Sequence, residues 1–417
     1  MSMPHAGSLA IVGAGPAGVA AAEELRRLGH TGPLVIVDPA DFPYDRPPLS
    51  KTVLTGAAGL ADIRLVPDGW IEHHAIDFRG GRSVSRLLPS EGRLMLDDGS
   101  ELCADAVLLA TGGTARRLPV RGADHPLITG LRTAEDALRI RDTLATGARI
   151  VVVGGGLIGA EVASSARRVG CEVTLIEPLA PPLEAVVGRE VAAFLHDQHS
   201  AAGIEVVADS VAEFRDVAGG VVVVTQSSRE LVADLVVVGV GMRAADRLAA
   251  EASLDVADGV LVDGGQRTSR AGIFAAGDGA RVRHADGTTV RSEHWQAAGR
   301  SGRAAAAAIL GLPLPDAEPD RFWSDRHGIR LEVVGHLNAG SRVVRGRPAA
   351  GSFSVFALDA SSRVTGVASV ADRRTAAVAT KLIRSDTPVD PALLSDERAD
   401  LREALQRRTP ATETLSM

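Results

Sequence analysis

"SLAIVGAGPAGVAAAEELRRLG", residues 8–29, decides the fold. Leu9 to Val12 form a short apolar run that enters a glycine turn. An alanine-rich stretch with helical spacing follows, so the order is strand, turn, helix. Gly13, Gly15 and Gly18 make a G-x-G-x-x-G across the turn. The first glycine permits the tight turn, the second lets a pyrophosphate approach the backbone, and the third lets helix and strand pack closely. The exposed N–H groups of the helix start then face the phosphate charge. A second apolar strand, "PLVIVD" (33–38), ends in Asp38. A carboxylate at that place accepts hydrogen bonds from ribose hydroxyls.

The pattern recurs at "ARIVVVGGGLIGAEVASSARRVG" (148–170), followed by "EVTLIE" (172–177). The second turn carries Gly154, Gly156 and Gly159, and its second strand ends in Glu177. One such motif is weak; two complete copies in their full strand–turn–helix setting imply two dinucleotide sites. Closing strands at "ADAVLLATG" (104–112) and "ADLVVVGVG" (233–241) echo each other as well. The acid at Glu177 disfavours a 2′-phosphate, and "PLAPPLEAVVG" (178–188) has no basic residue. The second site therefore reads as NAD(H) rather than NADP(H).

The fold class expected is α/β, with two Rossmann-like dinucleotide-binding domains and a C-terminal α+β domain. Residues 1–113 and 243–318 would form the first domain and 114–242 the second. An alanine-rich helix within "RSEHWQAAGRSGRAAAAAILG" (291–311) falls in the first. From about 319 the alternation changes to antiparallel strands, and a helix is expected near 373–385. Residues 319–404 would be the third domain. The tail 405–417 and the first six residues are expected to be disordered.

Composition narrows the classes. The chain has 417 residues, a formal net charge of −7, and 45% apolar against 23% charged residues. That balance argues against nucleic-acid binding. No apolar run reaches the roughly 18 residues of a membrane span. "AGSLAIVGAGPAGVAAA" lacks the basic leader of a signal peptide, and a reducing cytoplasm fits. The two cysteines, Cys103 and Cys171, are too far apart in sequence to suggest a disulfide framework or metal site. Both are expected in or beside strands as small hydrophobes.

One further stretch, "PYDRPPLSK" (43–51), holds the only tyrosine and two adjacent prolines. Proline fixes φ and restricts the residue before it, so this is a stiff turn or a device for aiming Lys51.

Together the two fingerprints, "ATGG" between them, "AAGD" after them and "YDRPPLSK" resemble the flavin-dependent pyridine nucleotide oxidoreductases, with a glutathione-reductase-like arrangement. More narrowly, the chain resembles the ferredoxin reductases of bacterial oxygenase systems, over roughly residues 7–400. "EHW" (293–295) and "FWSD" (322–325) belong to the same resemblance. It implies that the first fingerprint holds FAD, with Arg46, Lys51, Ala110, Thr111, Gly112, Asp278, Glu293, His294 and Trp295 around the cofactor. It implies NADH at the second, with Glu161 and Gly241 beside Glu177. Lys51 would lie near flavin N5, paired with Glu161, and stabilise the charge that hydride arrival brings. His294 and His327 are expected to serve structure.

Disulfide reductases of the same superfamily carry a cysteine pair after the first helix, and related peroxidases a single cysteine. This chain has neither. The implied route is hydride from NADH to FAD, then two single-electron transfers to an iron–sulfur ferredoxin supplying a monooxygenase or ring-hydroxylating dioxygenase. Trp323 would lie at the electron exit. An acidic ferredoxin would want a basic patch, for which Arg303, Arg64, Arg281, Arg283, Arg326 and Arg330 are candidates. The alternatives are an NADH oxidase or rubredoxin reductase, and an NADH-sensing interaction protein. A monomer or weak homodimer is expected. Three departures from the family pattern stand out: Pro182 in place of an arginine, Ala244 and Ala245 in place of Pro-Asn, and "DRFWSD" (320–325) in place of a Pro-Tyr start.

Overall fold

The computed structural model describes residues 7–179, 181–337 and 340–405. The expected disordered tail, beyond Leu405, and the first six residues lie outside the described residues. The chain divides into two compact units, Met1–Arg117 with Gly130–Arg141 and Gly241–Asp316, and Leu118–Thr129 with Asp142–Val240 and Ala317–Met417.

The first unit is built on a parallel five-stranded sheet. Its strands run in the order Ile273–Ala275, Ala106–Leu109, Leu9–Val12, Leu34–Asp38 and Asp77–Gly80. Leu9–Val12 is buried along its whole length, as a strand covered on both faces must be. Sequence order departs in opposite directions on its two sides. That makes a topological switch point at the carboxyl ends of Leu9–Val12 and Ala106–Leu109, where ligands of open α/β sheets bind. Helices Pro16–Arg27 and Trp295–Ile309 cover one face and cross closely at Gly302, where a side chain would stand 2.1 Å from the Ala17 carbonyl. Ala305, Ala306 and Ala308 fill the same core. An antiparallel sheet of Val84–Leu88, Arg93–Leu96 and Glu101–Cys103 packs Leu87 and Leu94 against the other face.

The second unit repeats the plan, in the order Glu205–Val207, Glu172–Ile176, Arg149–Val153, Leu235–Val238 and Ile128–Thr129, all parallel. A five-stranded antiparallel sheet belongs to this unit: Arg321–Arg326, Ile329–Gly335, Val364–Val370, Ser352–Leu358 and Ser341–Arg347. One face buries Phe322, Leu331 and Phe353 against Val191 and Leu195 of helix Arg189–Ala201. The other carries helix Arg373–Ser385, whose first turn is capped by Asp372.

Three expectations need correction. Residues Gly130–Arg141 do not join the second nucleotide domain but pack in the first unit, where the Ala134 N–H donates to the Tyr44 hydroxyl at 3.1 Å. "PYDRPPLSK" is more than a stiff turn, because Leu49–Val53 continues it as a π-helical turn with Lys51 at its centre. Both cysteines lie in or beside strands as expected, but Cys103, at the end of Glu101–Cys103, is exposed and does not pack as a small hydrophobe; Cys171, just before Glu172–Ile176, is buried and its thiol pKa is raised by burial.

Candidate functional site

In the first unit, two of the three fingerprint glycines are demanded by the protein itself. A Cβ on Gly13 would lie 2.3 Å from the Ala110 carbonyl, and one on Gly18 would lie 1.9 Å from the Gly13 carbonyl. Gly13 also has φ +112, which L side chains rarely adopt. Gly15 differs: its Cβ would meet only the end of the Arg46 side chain, at 2.9 Å. A glycine without a scaffold reason marks close approach of something else to the backbone. Asp38 holds the turn, its carboxylate accepting from the Ala14 N–H at 2.6 Å and the Ala40 N–H at 2.8 Å.

This turn opens on a cavity of about 880 Å³ lined by Gly13, Asp38, Arg46, Thr111, Arg132 and Asp278 among others. Arg132 donates to Asp278 Oδ2 at 2.8 Å and to the Gly113 carbonyl at 3.1 Å. Asp278 sits in the short turn Gly277–Gly279, directly after the strand Ile273–Ala275 and Ala276. Burial, followed by the charge of Arg132, lowers the Arg46 pKa, and Arg46 Nε is buried with no hydrogen-bond partner among the described residues. Two neighbouring guanidiniums, one with an unmet donor, suit an anionic ligand. Together with Gly15, which no backbone atom of the scaffold requires, they fit the pyrophosphate of FAD.

The remaining first-unit residues gather around the same strand ends. Ala110, Thr111 and Gly112 follow the strand Ala106–Leu109, and Thr111 Oγ1 donates to the Ala245 carbonyl at 2.8 Å. Lys51 Nζ donates to the Pro47 carbonyl at 3.0 Å. His294 is the N-cap of helix Trp295–Ile309. Trp295 is 38% exposed, and its Nε1 donates to Asp45 at 2.8 Å. Burial raises the pKa of Asp45, and that hydrogen bond opposes the shift. Glu293 is also raised by burial, with Arg291 at 2.7 Å opposing it. Gly241, expected at the NADH site, falls in the first unit with φ +96, just before the strand Met242–Ala244. Arg303 is exposed and borders a separate groove of about 640 Å³ with Arg26, Arg27, His73 and His74.

In the second unit the glycines divide in the same way. A Cβ on Gly154 would stand 2.6 Å from the Gly239 carbonyl, and one on Gly159 would stand 1.9 Å from the Gly154 carbonyl. For Gly156, the nearest atom to the Cβ position among the described residues beyond its own turn and helix is the Gly239 carbonyl oxygen, at 4.0 Å. Glu177 accepts from the Gly155 N–H at 2.7 Å and the Leu179 N–H at 2.8 Å. Among the described residues, no guanidinium comes within 4 Å of the Cβ position of Gly156, and Pro182 lies 3.2 Å from that of Gly155.

Glu161, on helix Leu157–Arg168, is 3% exposed and accepts from Ser324 Oγ at 2.8 Å and from the Asp325 N–H at 3.1 Å. Arg326, a docking candidate in the sequence, is only 3% exposed and cannot meet a partner. Its pKa is lowered to about 10 by burial, with Glu161 opposing the shift. Near it, His327 and His199 are linked at 3.0 Å. Burial, then the Arg326 charge, lowers the first to about 4 and the second to about 3. Trp323 is half-buried, with the Arg330 guanidinium 5.6 Å from its ring centroid. Arg330 is committed to Asp325 and Glu332, and Arg281 to Asp258.

Arg132, Ser324 and the burial of Arg326 escaped the sequence reading. Strand alternation carried a signal for the last two, because Phe322, Ser324 and Arg326 fall on one face, and all three are buried. Among the described residues, no group of three or more His, Cys, Asp or Glu is placed to hold a metal ion. No helix of the described residues is long and apolar enough to cross a membrane.

Two dinucleotide-binding units, one with a guanidinium-lined cavity, define a flavoprotein oxidoreductase of the two-nucleotide class. The chain belongs to the pyridine nucleotide-disulphide oxidoreductase family, whose profile matches residues 7–302, and a reductase C-terminal domain profile matches residues 321–405. It is 37% identical to the ferredoxin–NAD(+) reductase component of the anthranilate 1,2-dioxygenase system of Burkholderia cepacia, over 95% of this chain and 98% of that protein. Among solved structures, it resembles putidaredoxin reductase in its covalent complex with putidaredoxin (TM-score 0.91, 34% identity, covering 97% of this chain and 99% of that one). It is similar too to the ferredoxin reductase for the CYP199A2 system of Rhodopseudomonas palustris (TM-score 0.90, 32% identity, covering 95% and 99%). As a member of this family the chain is an enzyme that uses FAD and NAD(H).

Proposed function

We propose that this protein oxidises NADH and passes the electrons to a small iron–sulfur ferredoxin that supplies an oxygenase. The observation that carries the reading is the pair of glycines, Gly15 and Gly156, that the surrounding backbone does not require, each at the mouth of a complete nucleotide turn. The ferredoxin reductases similar to it along nearly its whole length support the choice of acceptor. So does the lack of a cysteine pair: Cys103 and Cys171 lie in different units.

When bound, FAD accepts an electron pair as hydride and releases electrons singly. Arg46 and Arg132 hold its phosphate charge, and Asp38 orders the turn that meets it. Asp278, fixed by Arg132, presents a carboxylate to the ribityl hydroxyls. Lys51 supplies a positive charge at the ring, aimed by the prolines and by its bond to Pro47. Glu177 selects NADH by meeting the ribose hydroxyls and repelling a 2′-phosphate. Glu161 is the acidic group on the nicotinamide side. Trp323 marks the electron exit. Arg303, with Arg64 and Arg283, steers an acidic ferredoxin, in a protein that is monomeric or weakly dimeric and works in the cytoplasm.

The test is NADH-driven cytochrome c reduction by the purified protein, with and without two-iron and three-iron ferredoxins, at rising salt. A large ferredoxin-dependent increase that falls with salt, beside a salt-indifferent rate with a small acceptor, is expected. Oxygen consumption indifferent to every ferredoxin would make the protein an oxidase. A long-lived NADH complex with little turnover would make it a sensor.

A further inference from the structure

We propose that Ser324 is a positioning residue for Glu161, so that the C-terminal sheet forms part of the nicotinamide-side machinery. The proposal rests on the reading of Glu161 given above. A carboxylate as buried as Glu161 needs donors to offset its lost hydration. Two of them come from one strand of the C-terminal sheet, and they converge on one oxygen: Ser324 Oγ at 2.8 Å and the Asp325 N–H at 3.1 Å. Convergent bonds to Oε1 fix the plane of the carboxylate as well as its place.

The strand is itself held firmly. Phe322 is anchored in the core beside Val191 and Leu195, and Ser324 is fully buried. Beyond the strand, the His327 N–H donates to Ser164 Oγ at 2.8 Å. Ser164 lies three residues after Glu161 on the same helix, so residues 324–327 grip one helix face at two points. The buried Arg326 cation, on the same strand face as Ser324, adds electrostatic support for the Glu161 charge. Groups held by regular elements keep their geometry better than groups on loops.

The same sheet contains a matched control. Ser354 is also fully buried, but its hydroxyl bonds to Ser369 Oγ at 3.0 Å and Asp372 at 2.9 Å, with no part in this cluster.

The experiment compares Ser324→Ala, Ser324→Cys, Ser354→Ala, Glu161→Gln and the double variant Ser324→Ala/Glu161→Gln, each with FAD bound. Anaerobic stopped-flow separates the limiting rate of NADH-dependent flavin reduction from half-saturation by NADH, and thermal melting is followed in parallel. Ser324→Ala is expected to slow the limiting rate roughly five- to tenfold with half-saturation hardly moved. Ser324→Cys, a weaker donor of similar shape, should fall between and keeps the test open if the alanine variant does not fold. The double variant should be no slower than Glu161→Gln, and Ser354→Ala should lower the melting temperature while leaving the limiting rate intact. Rates for both Ser324 variants within about twofold of the parent, beside a slow Glu161→Gln, would overturn the proposal alone. Equal slowing by Ser354→Ala would overturn it too, by making the loss a general effect of the sheet. A Glu161→Gln variant as fast as the parent would overturn the reading of Glu161 and this proposal with it.

Discussion

The two nucleotide turns share a skeleton and differ in what stands over them. In each, the outer glycines are required by a carbonyl within 2.6 Å of where a Cβ would be. An acid at the end of the second strand accepts an N–H from the turn in each: Asp38 from Ala14, Glu177 from Gly155. Over the first turn stands Arg46, with Arg132 lining the same cavity; over Gly156 of the second, among the described residues, no guanidinium comes within 4 Å of the Cβ position. The contrast supports the proposed occupancy, FAD at the first turn and NADH at the second. A resident cofactor is worth enclosing with charge, whereas a nucleotide that must leave on every turnover is not.

The strongest way to break this comparison is at the third and second glycines. Gly159→Ala forces a Cβ within 1.9 Å of the Gly154 carbonyl and is expected to destabilise the second unit by roughly 3 kcal/mol or more. Gly156→Ala meets no atom of the described residues nearer than 4.0 Å beyond its own turn and helix, so it should melt like the parent while its NADH half-saturation rises by about tenfold. Melting curves and NADH titrations check both; equal melting losses would remove the distinction between packing and ligand glycines.

Next in size is Arg132→Met, which takes a charged donor from Asp278 and from the cavity. FAD retention, measured by flavin release on dilution, should weaken on the order of tenfold to a hundredfold, with NADH half-saturation little changed. Glu177→Arg sharpens the contrast from the other side. It should raise the NADPH-to-NADH preference in steady-state kinetics by about tenfold or more, and also weaken NADH because the Gly155 N–H loses its acceptor.

The smallest effect concerns acid. His199 and His327 are held neutral in the fold, at about 3 and about 4, against an ordinary value of 6.5. Unfolding therefore takes up protons as the pH falls below 6.5, and stability present above that pH is lost progressively toward 4 and 3. A His199→Gln variant should show a shallower fall of melting temperature between pH 7 and 4 than the parent, by roughly a few degrees.

What the sequence displayed was local. Strand, glycine turn, helix and acid lie within some thirty residues, and each requirement acts on near neighbours, so both turns and the parallel sheets around them were legible. The site's long-range bonds were not. Arg132 reaches Asp278 across 146 positions and Ser324 reaches Glu161 across 163, and no periodicity encodes such pairs. Arg326 misled because charge suggests exposure, although alternation with Phe322 and Ser324 placed it on the buried face. Gly130–Arg141 joined the other unit because the Tyr44 hydroxyl meets the first turn of its helix, a contact across 90 positions.

The most direct test of the account is a double-mixing anaerobic experiment on the yellow protein. NADH is mixed first and the flavin absorbance followed; oxidised two-iron ferredoxin is mixed second. The expected result is bleaching by NADH and then return of the flavin band as two equivalents of ferredoxin are reduced. Bleaching that ferredoxin does not reverse, or no bleaching by NADH at all, would contradict it.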